Sequence, residues 1–238
     1  MIRIQDNKSI FSKAYSVPTE ADIFLWILPL DDPALATQAY EYLTCSEKNH
    51  LNKLRRTDTK LQYQVSHGCL RKILSSMLNI PGSELTFHKQ VHGKPFLANL
   101  PLDAPSLHFN ISHSQDYAAI GISSYAPIGV DIERIRPDFP AEKLAKRFFH
   151  PNEYTVFLSL PDSDRHSWFI KHWTMKESFV KALGDGLTLS TTSFEIVPKN
   201  DMENIFCIKI SQKDFSSWHI QSVKAPDGYC LSVASQKP

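Results

Sequence analysis

Residues 128–133 read IGVDIE. Ile128, Val130 and Ile132 alternate with Gly129, Asp131 and Glu133, the period-2 pattern of a strand that buries one face. The alternation sets the two carboxylates together on the other face with Cα atoms about 6–7 Å apart, near enough for both to reach one cation. Further along, WTMKESFVKALGDG at 173–186 has the spacing of an amphipathic helix closing on glycine. Trp168, Phe169, Phe179, Val180 and Leu183 fall mostly on its packing side, while Thr174, Glu177 and Lys181 make a separate stripe. Glu177 is therefore placed to add a third carboxylate to the strand's pair.

Working outward, residues 23–28 predict a buried strand ended by PLDDP, followed by a helical stretch. From 59 to 78, Leu61, Val65, Cys69, Leu70, Ile73, Leu74, Met77 and Leu78 recur at three- and four-residue intervals up to NIPG, predicting a long helix. Residues 84–88 and 94–97 flank KQVHG as a hairpin, and 107–112 and 117–122 flank HSQD as another. Helices are expected over 141–149, 152–160 and 165–183, the last ending at Gly184 and Gly186. Strands at 192–197, 205–211, 217–223 and 229–233 close an α+β chain. Each half holds strands and one long helix, so two subdomains, 1–124 and 125–238, meet near SSYAP at 123–127; one continuous α+β domain fits the periodicity equally. The first twenty residues contribute nothing to this reading.

Composition narrows the function. The 238 residues are 42% hydrophobic, enough for a substantial core, and 26 Lys+Arg against 25 Asp+Glu leave a formal charge of +1. No global field then attracts nucleic acid or an anionic membrane, so a polyanion site must be a local cluster. Cys45, Cys69, Cys207 and Cys230 include no C-x-x-C, which argues against zinc and against a disulfide scaffold and fits a reducing cytoplasm. The longest apolar run, IFLWILPL at 23–30, is too short to span a membrane, so neither secretion nor membrane spanning is expected.

Taken singly, a D-x-E strand and a Glu–Lys pair one helical turn apart are commonplace surface features worth a few tenths of a kcal/mol. Together, three acidic side chains with water and substrate phosphate oxygens describe a typical Mg²⁺ site. Lys48, Lys53, Arg55, Arg56, Lys60, Arg71 and Lys72 lie close in sequence, and Lys94 sits in the HGKP turn; both suit a polyphosphate, although Glu47 and Asp58 make an ordinary basic face an equal reading. In FNISHS, Ser112 and His113 can donate hydrogen bonds to phosphate oxygens. The chain has no G-x-S-x-G, H-E-x-x-H, Walker A or G-x-G-x-x-G.

HGKP, FNISHS, GVDIE and WTMKESFVKALGDGL occur in that order. Together they resemble the 4′-phosphopantetheinyl transferase superfamily, specifically its long, monomeric, surfactin-synthetase-activating type, from about Ile23 to the closing strands. The resemblance implies two similar α+β halves about a pseudo-twofold axis, with coenzyme A in the cleft between them. It implies an enzyme that transfers 4′-phosphopantetheine from coenzyme A to a serine of an apo acyl or peptidyl carrier protein, releasing adenosine 3′,5′-bisphosphate. By the same resemblance Asp131, Glu133 and Glu177 match the Mg²⁺ ligands and Lys181 the lysine near the reacting pyrophosphate. Glu177 also matches the general base, acting directly or through a water. Ser112 and His113 match residues contacting the coenzyme's phosphates, and Lys94 and Lys48 match basic positions around its 3′-phosphate and adenine end.

Many relatives carry arginine where this chain has Gln62 and His67, so part of the phosphate clamp is missing or replaced by Lys60 and Arg71. Carrier docking is expected over about Arg136 to Leu160, with at least two of Phe148, Phe149 and Phe157 in the core instead. The implied protein is a cytoplasmic monomer that binds neither nucleic acid nor membrane. A catalytically silent relative that binds coenzyme A or carrier proteins is the alternative, against which the intact Asp131, Glu133, Glu177 and Lys181 argue.

Overall fold

The computed structural model describes residues 1–19, 22–98, 100–102, 104–184, 189–199, 204–210 and 214–236. Gly186, one of the two expected helix-ending glycines, and residue 211, the end of an expected strand, lie outside the described residues. The chain divides into two compact units, residues 1–90 with 95–125, and residues 91–94 with 126–237. Both are α+β.

In the first unit, β1 (Ile2–Ile4), β2 (Ile23–Pro29), β5 (His108–Ser114) and β6 (Tyr117–Ser123) form a sheet in the order β1-β2-β6-β5. β1 pairs parallel to β2 and the other neighbours are antiparallel, with Trp26 opposite Ile120 and Ile120 opposite Ile111. Between β2 and β5 come α1 (Pro33–Glu41), α2 (Cys45–Lys53), α3 (Thr57–Leu78) and the hairpin β3 (Thr86–Lys89) and β4 (Pro95–Ala98). The apolar stripe read from 59 to 78 is buried: Val65, Cys69, Ile73 and Leu74 pack with Trp26, Leu28, Phe109 and Ile120. Asp32 caps α1, accepting from the Ala34 and Leu35 amides at 2.9 and 3.0 Å, and Thr44 with Glu47 closes a capping box on α2. Sequence reasoning passed over the N-terminal segment, yet β1 extends the sheet and Ile10 and Tyr15 are buried in the core. Two short apolar groups without periodicity gave no signal for this.

In the second unit, β7 (Ile128–Arg134), β8 (Phe194–Pro198), β9 (Ile205–Ile210), β10 (Trp218–Val223) and β11 (Tyr229–Gln236) form an antiparallel sheet in the order β7-β11-β10-β9-β8. Its helices are α4 (Ala141–Phe148), α5 (Pro151–Ser159) and α6 (Asp162–Leu183), with Gly184 ending α6 in the left-handed conformation at φ 75°. The two ends of α6 pack on different partners. Phe169 and Ile170 meet Phe149 and Phe157 of α4 and α5, whereas Met175, Phe179 and Ala182 meet Phe194, Trp218 and Ile220 of the sheet region. A helix buried on several sides explains why Lys176 is fully buried.

Lys176 is held by an unusually complete set of partners. Its ammonium donates to Thr191 O and Phe194 O at 2.8 and 2.7 Å and pairs with Glu153 at 2.7 Å. Glu153, on α5, accepts in addition from the amides of His150 and Ile196, each at 2.9 Å. Burial pushes the Lys176 ammonium down to about 8, while the Glu153 charge opposes that shift. The pair ties α5, α6 and β8 together.

Lys176→Met leaves Glu153 buried without its cation and is expected to cost about 3–5 kcal/mol in urea unfolding; adding Glu153→Gln removes the unpaired charge and should recover part of it, since glutamine leaves one of the His150 and Ile196 amides without an acceptor. No recovery in the double variant would contradict the pairing. At Gly129 an added Cβ would stand 1.9 Å from Ser178 O, whereas at Gly82 its nearest neighbour is 3.6 Å away. Gly129→Ala should therefore cost about 3 kcal/mol and Gly82→Ala less than about 0.5 kcal/mol; equal losses would show that α6 does not rest on Gly129.

Candidate active site on strand β7 and helix α6

The alternation of IGVDIE places Gly129, Asp131 and Glu133 on one strand face, but that face is not open to solvent along its length. α6 lies on it, and it can do so because Gly129 has no side chain to meet Ser178 O and Ala182 N. Asp131 is consequently 3% exposed. A buried carboxylate needs a partner, and Lys181 on α6 donates to Asp131 Oδ1 at 2.6 Å. Thr174, read as part of the same polar stripe, is instead buried and shares a 3.2 Å hydrogen bond with Ser232, the residue opposite Asp131 on β11. It anchors the helix to the sheet.

Glu177 lies one turn before Lys181. Burial raises its carboxyl above the usual range, the charge of Asp131 raises it further, Lys181 opposes, and Glu133 adds a smaller rise. The four residues named from sequence, Asp131, Glu133, Glu177 and Lys181, thus share one electrostatic environment. All their acidic donors are oxygen, the chemistry that Mg²⁺ takes when water and substrate complete its shell. Among the described residues no three His, Cys, Asp or Glu side chains close into a metal-ligating cluster; positive charge beside Asp131 is supplied by the Lys181 ammonium.

Beside Glu133, a cavity of about 210 Å³ is walled by Phe148, Phe169, Ile170 and Trp173 with Arg136 at its edge. Lys94 belongs to this second unit. Its ammonium donates to Ile128 O and Ala182 O at 3.0 and 2.8 Å, and burial lowers it to about 8. It therefore stitches the start of β7 to the end of α6.

The remaining residues named from sequence lie in the first unit. Lys48 on α2 sits 4.5 Å over the Tyr40 ring. On β5, Ser112 is buried and His113 is exposed, opening on a cavity lined also by His50, Gln62, Tyr63 and His67. Arg71 corrects the expectation that it replaces a missing phosphate clamp. It is buried, pairs with Glu47 at 2.7 Å, donates to the Gly82 and Leu85 carbonyls, and lies 4.8 Å over Phe87. A guanidinium with those partners is a structural cross-link.

A cavity of about 730 Å³ contains none of the named site residues; Phe139, Tyr154 and Phe157 line it with Lys143, Lys146 and Arg165. Of the three phenylalanines in the expected docking segment, Phe149 and Phe157 are in the core and Phe148 packs half-buried against Trp173. Sequence reasoning missed Gly129, Lys176 and Glu153. A usable signal existed for Lys176, which falls among the apolar positions of α6 where an unpaired cation would be costly.

Two family models match: one described as the 4′-phosphopantetheinyl transferase superfamily over residues 127–234, and one described as 4′-phosphopantetheinyl transferase, N-terminal, over residues 32–124. The 4′-phosphopantetheinyl transferase HetI of Nostoc sp. is 35% identical over 167 residues, covering 70% of each chain. The 4′-phosphopantetheinyl transferase Sfp of Bacillus subtilis is 34% identical over 170 residues, covering 71% of each. Among solved structures, a Thermotoga maritima holo-[acyl-carrier-protein] synthase aligns at a TM-score of 0.38 and 25% identity, over 47% of this chain and 63% of that one.

The raised carboxyl of Glu177 carries a stability consequence. Below the ordinary glutamate value of about 4.3 the group is protonated both folded and unfolded and costs nothing; above it the unfolded chain releases its proton first, so stability falls as pH rises through the folded value. Metal-free Glu177→Gln should thus melt at a higher temperature than the wild type at pH 7.5, with the gap narrowing towards pH 4. An equal or lower melting temperature at pH 7.5 would contradict the desolvated environment assigned to Glu177.

Proposed function

The chain belongs to the 4′-phosphopantetheinyl transferase superfamily and is an enzyme of that class, and we propose that it transfers 4′-phosphopantetheine from coenzyme A to a serine of an apo acyl or peptidyl carrier protein. The observation that carries the reading is the approach of α6 to β7, which gathers Glu177 and Lys181 with Asp131 and Glu133.

The serine oxygen forms a bond to the phosphorus bearing pantetheine, and the bond from that phosphorus to the bridging oxygen breaks. Adenosine 3′,5′-bisphosphate departs with the electron pair. Glu177, more basic than an ordinary glutamate because it is desolvated beside Asp131, accepts the serine proton directly or through a water. The Lys181 side chain is 30% exposed with its ammonium on Asp131, which places positive charge at the site where the departing phosphate builds negative charge. Asp131, Glu133 and Glu177 would hold Mg²⁺, which when bound supplies neutralisation of the pyrophosphate charge. A carboxylate bound to that ion is less basic, which favours the route through water.

Lys94, Lys48, Ser112 and His113 are assigned to the coenzyme. Among the described residues Lys94 has two carbonyl partners, and His113 faces the first unit's cavity. The aromatic cavity beside Glu133 suits the uncharged pantetheine arm. Residues 136–160 are assigned to the carrier, with exposed Lys143, Lys146 and Arg147 on α4 complementing an acidic surface and exposed Val156 and Leu158 on α5 offering apolar contacts. The working form is proposed as a cytoplasmic monomer that engages neither nucleic acid nor membrane. Four cysteines without a disulfide suit that compartment, and among the described residues no helix is long and apolar enough to cross a membrane.

Intact-protein mass spectrometry of apo acyl and apo peptidyl carrier proteins, incubated with this protein, coenzyme A and Mg²⁺, tests the reading. A gain of one phosphopantetheine mass is expected, abolished by EDTA and reduced at least a hundredfold by Glu177→Gln. No gain on any carrier, with coenzyme A still bound, would favour a catalytically silent binding protein. Near-normal turnover of Glu177→Gln would remove that residue from both proposed roles.

A further inference from the structure

In the second unit, the segment before α4, α4 itself, α5 and the start of α6 line a cavity of about 730 Å³. Its apolar wall is aromatic, formed by Phe139, Tyr154 and Phe157, the last two stacked with ring centroids 6.4 Å apart. Lysine, arginine and carboxylate side chains also line it. Arg165 is committed: it pairs with Asp162 at 2.8 Å and donates to the Leu158 and Leu160 carbonyls at 3.0 and 3.2 Å. His166 has the Phe139 carbonyl 3.1 Å from its Nε2. Lys143 and Lys146 differ. They lie one turn apart on α4, both exposed, and among the described residues neither ammonium has a hydrogen-bond or ion-pair partner. With Asp162 matched to Arg165, Glu142 is the one described lining carboxylate left to offset them, so the cavity keeps an excess of positive charge.

A cavity of this kind takes a small organic molecule, its apolar walls binding the body and a few polar groups fixing the orientation. Aromatic walls favour a body that is itself aromatic, through offset and edge-to-face ring contacts. Two uncommitted ammoniums on one helical face favour an acidic head group, because a hydrogen bond from a cation to an anion is stronger than a neutral one. We propose that this cavity is a binding site for a small aromatic anion, with a carboxylate, sulfonate or phosphate held by Lys143 and Lys146 and rings packed on Phe139, Tyr154 and Phe157. On the reading that α4 and α5 receive the carrier protein, a ligand there obstructs the carrier and leaves coenzyme A binding alone.

The test titrates the full chain with anilinonaphthalene sulfonate and with its uncharged parent, N-phenylnaphthylamine, and follows the fluorescence of each. One sulfonate is expected to bind per chain, at least about fivefold more tightly than the uncharged amine. Lys143→Gln with Lys146→Gln, two exposed positions, should weaken the sulfonate by about tenfold and leave the amine within about twofold. Tyr154→Leu should weaken both probes. In carrier modification, the sulfonate should raise the KM for the apo carrier protein and not that for coenzyme A. Equal affinity of the wild type for the two probes would overturn the proposal, as would a sulfonate affinity unchanged by the double variant, even if that variant's KM for the carrier rises. A sulfonate that competes with coenzyme A instead would overturn it too. Should no carrier be modified, the enzymatic reading fails while the paired titrations still decide this one.

Discussion

The absence of a side chain at Gly129 is the constraint on which the second unit's chemistry rests. Any Cβ there would collide with the backbone of α6 at Ser178 and Ala182. Because none is present, the helix settles directly on β7, and two residues that sequence separates widely from the strand, Glu177 and Lys181, arrive beside Asp131. Their proximity has an electrostatic cost. Asp131 is desolvated and is compensated by the Lys181 ammonium, while Glu177 is left more easily protonated than an ordinary glutamate. Such desolvation is held at some expense in stability, and a cation among these carboxylates, as proposed above, would relieve it.

The position of α6 is defended from its other side by Lys176 and Glu153. Lys176 immediately precedes Glu177, and the two neighbours meet different surroundings. Lys176 is fully buried with Glu153 and two carbonyls, whereas Glu177 feels the charge of Asp131. A buried ion pair is a poor source of net stability because its desolvation cost rivals its attraction. What it supplies here is geometric: it fixes the rotation of α6 through α5 and β8, and with it the direction in which Glu177 points. Lys94 makes a related contribution at the end of the helix, bridging Ile128 and Ala182.

Much of this was legible in the chain. Period-2 alternation located β7, and three- and four-residue spacing located α3 and α6 to within a few residues of Thr57–Leu78 and Asp162–Leu183. Asp131, Glu133, Glu177 and Lys181 could be named because alternation sets the two acids on one strand face, helical spacing sets Glu177 and Lys181 on one stripe, and the motifs that hold them occur in the order of the family resemblance. What was not legible depends on tertiary partners. Nothing local distinguishes Arg71, buried on Glu47 and two carbonyls, from a lysine or arginine free to meet phosphate. Likewise β1 has only three residues, too few for periodicity to show, and although Lys176 falls among apolar positions, nothing local names Glu153 as its partner.

The proposed function requires that Asp131, Glu133 and Glu177, brought near one another by the packing of α6 on β7, take one cation together. A crystal structure with Mn²⁺ and coenzyme A, read by anomalous scattering at the manganese edge, addresses it directly. One strong peak is expected within ligand distance of carboxylate oxygens from all three residues, with the Lys181 ammonium close by. A manganese peak elsewhere, or none at these carboxylates while coenzyme A is bound, would contradict it.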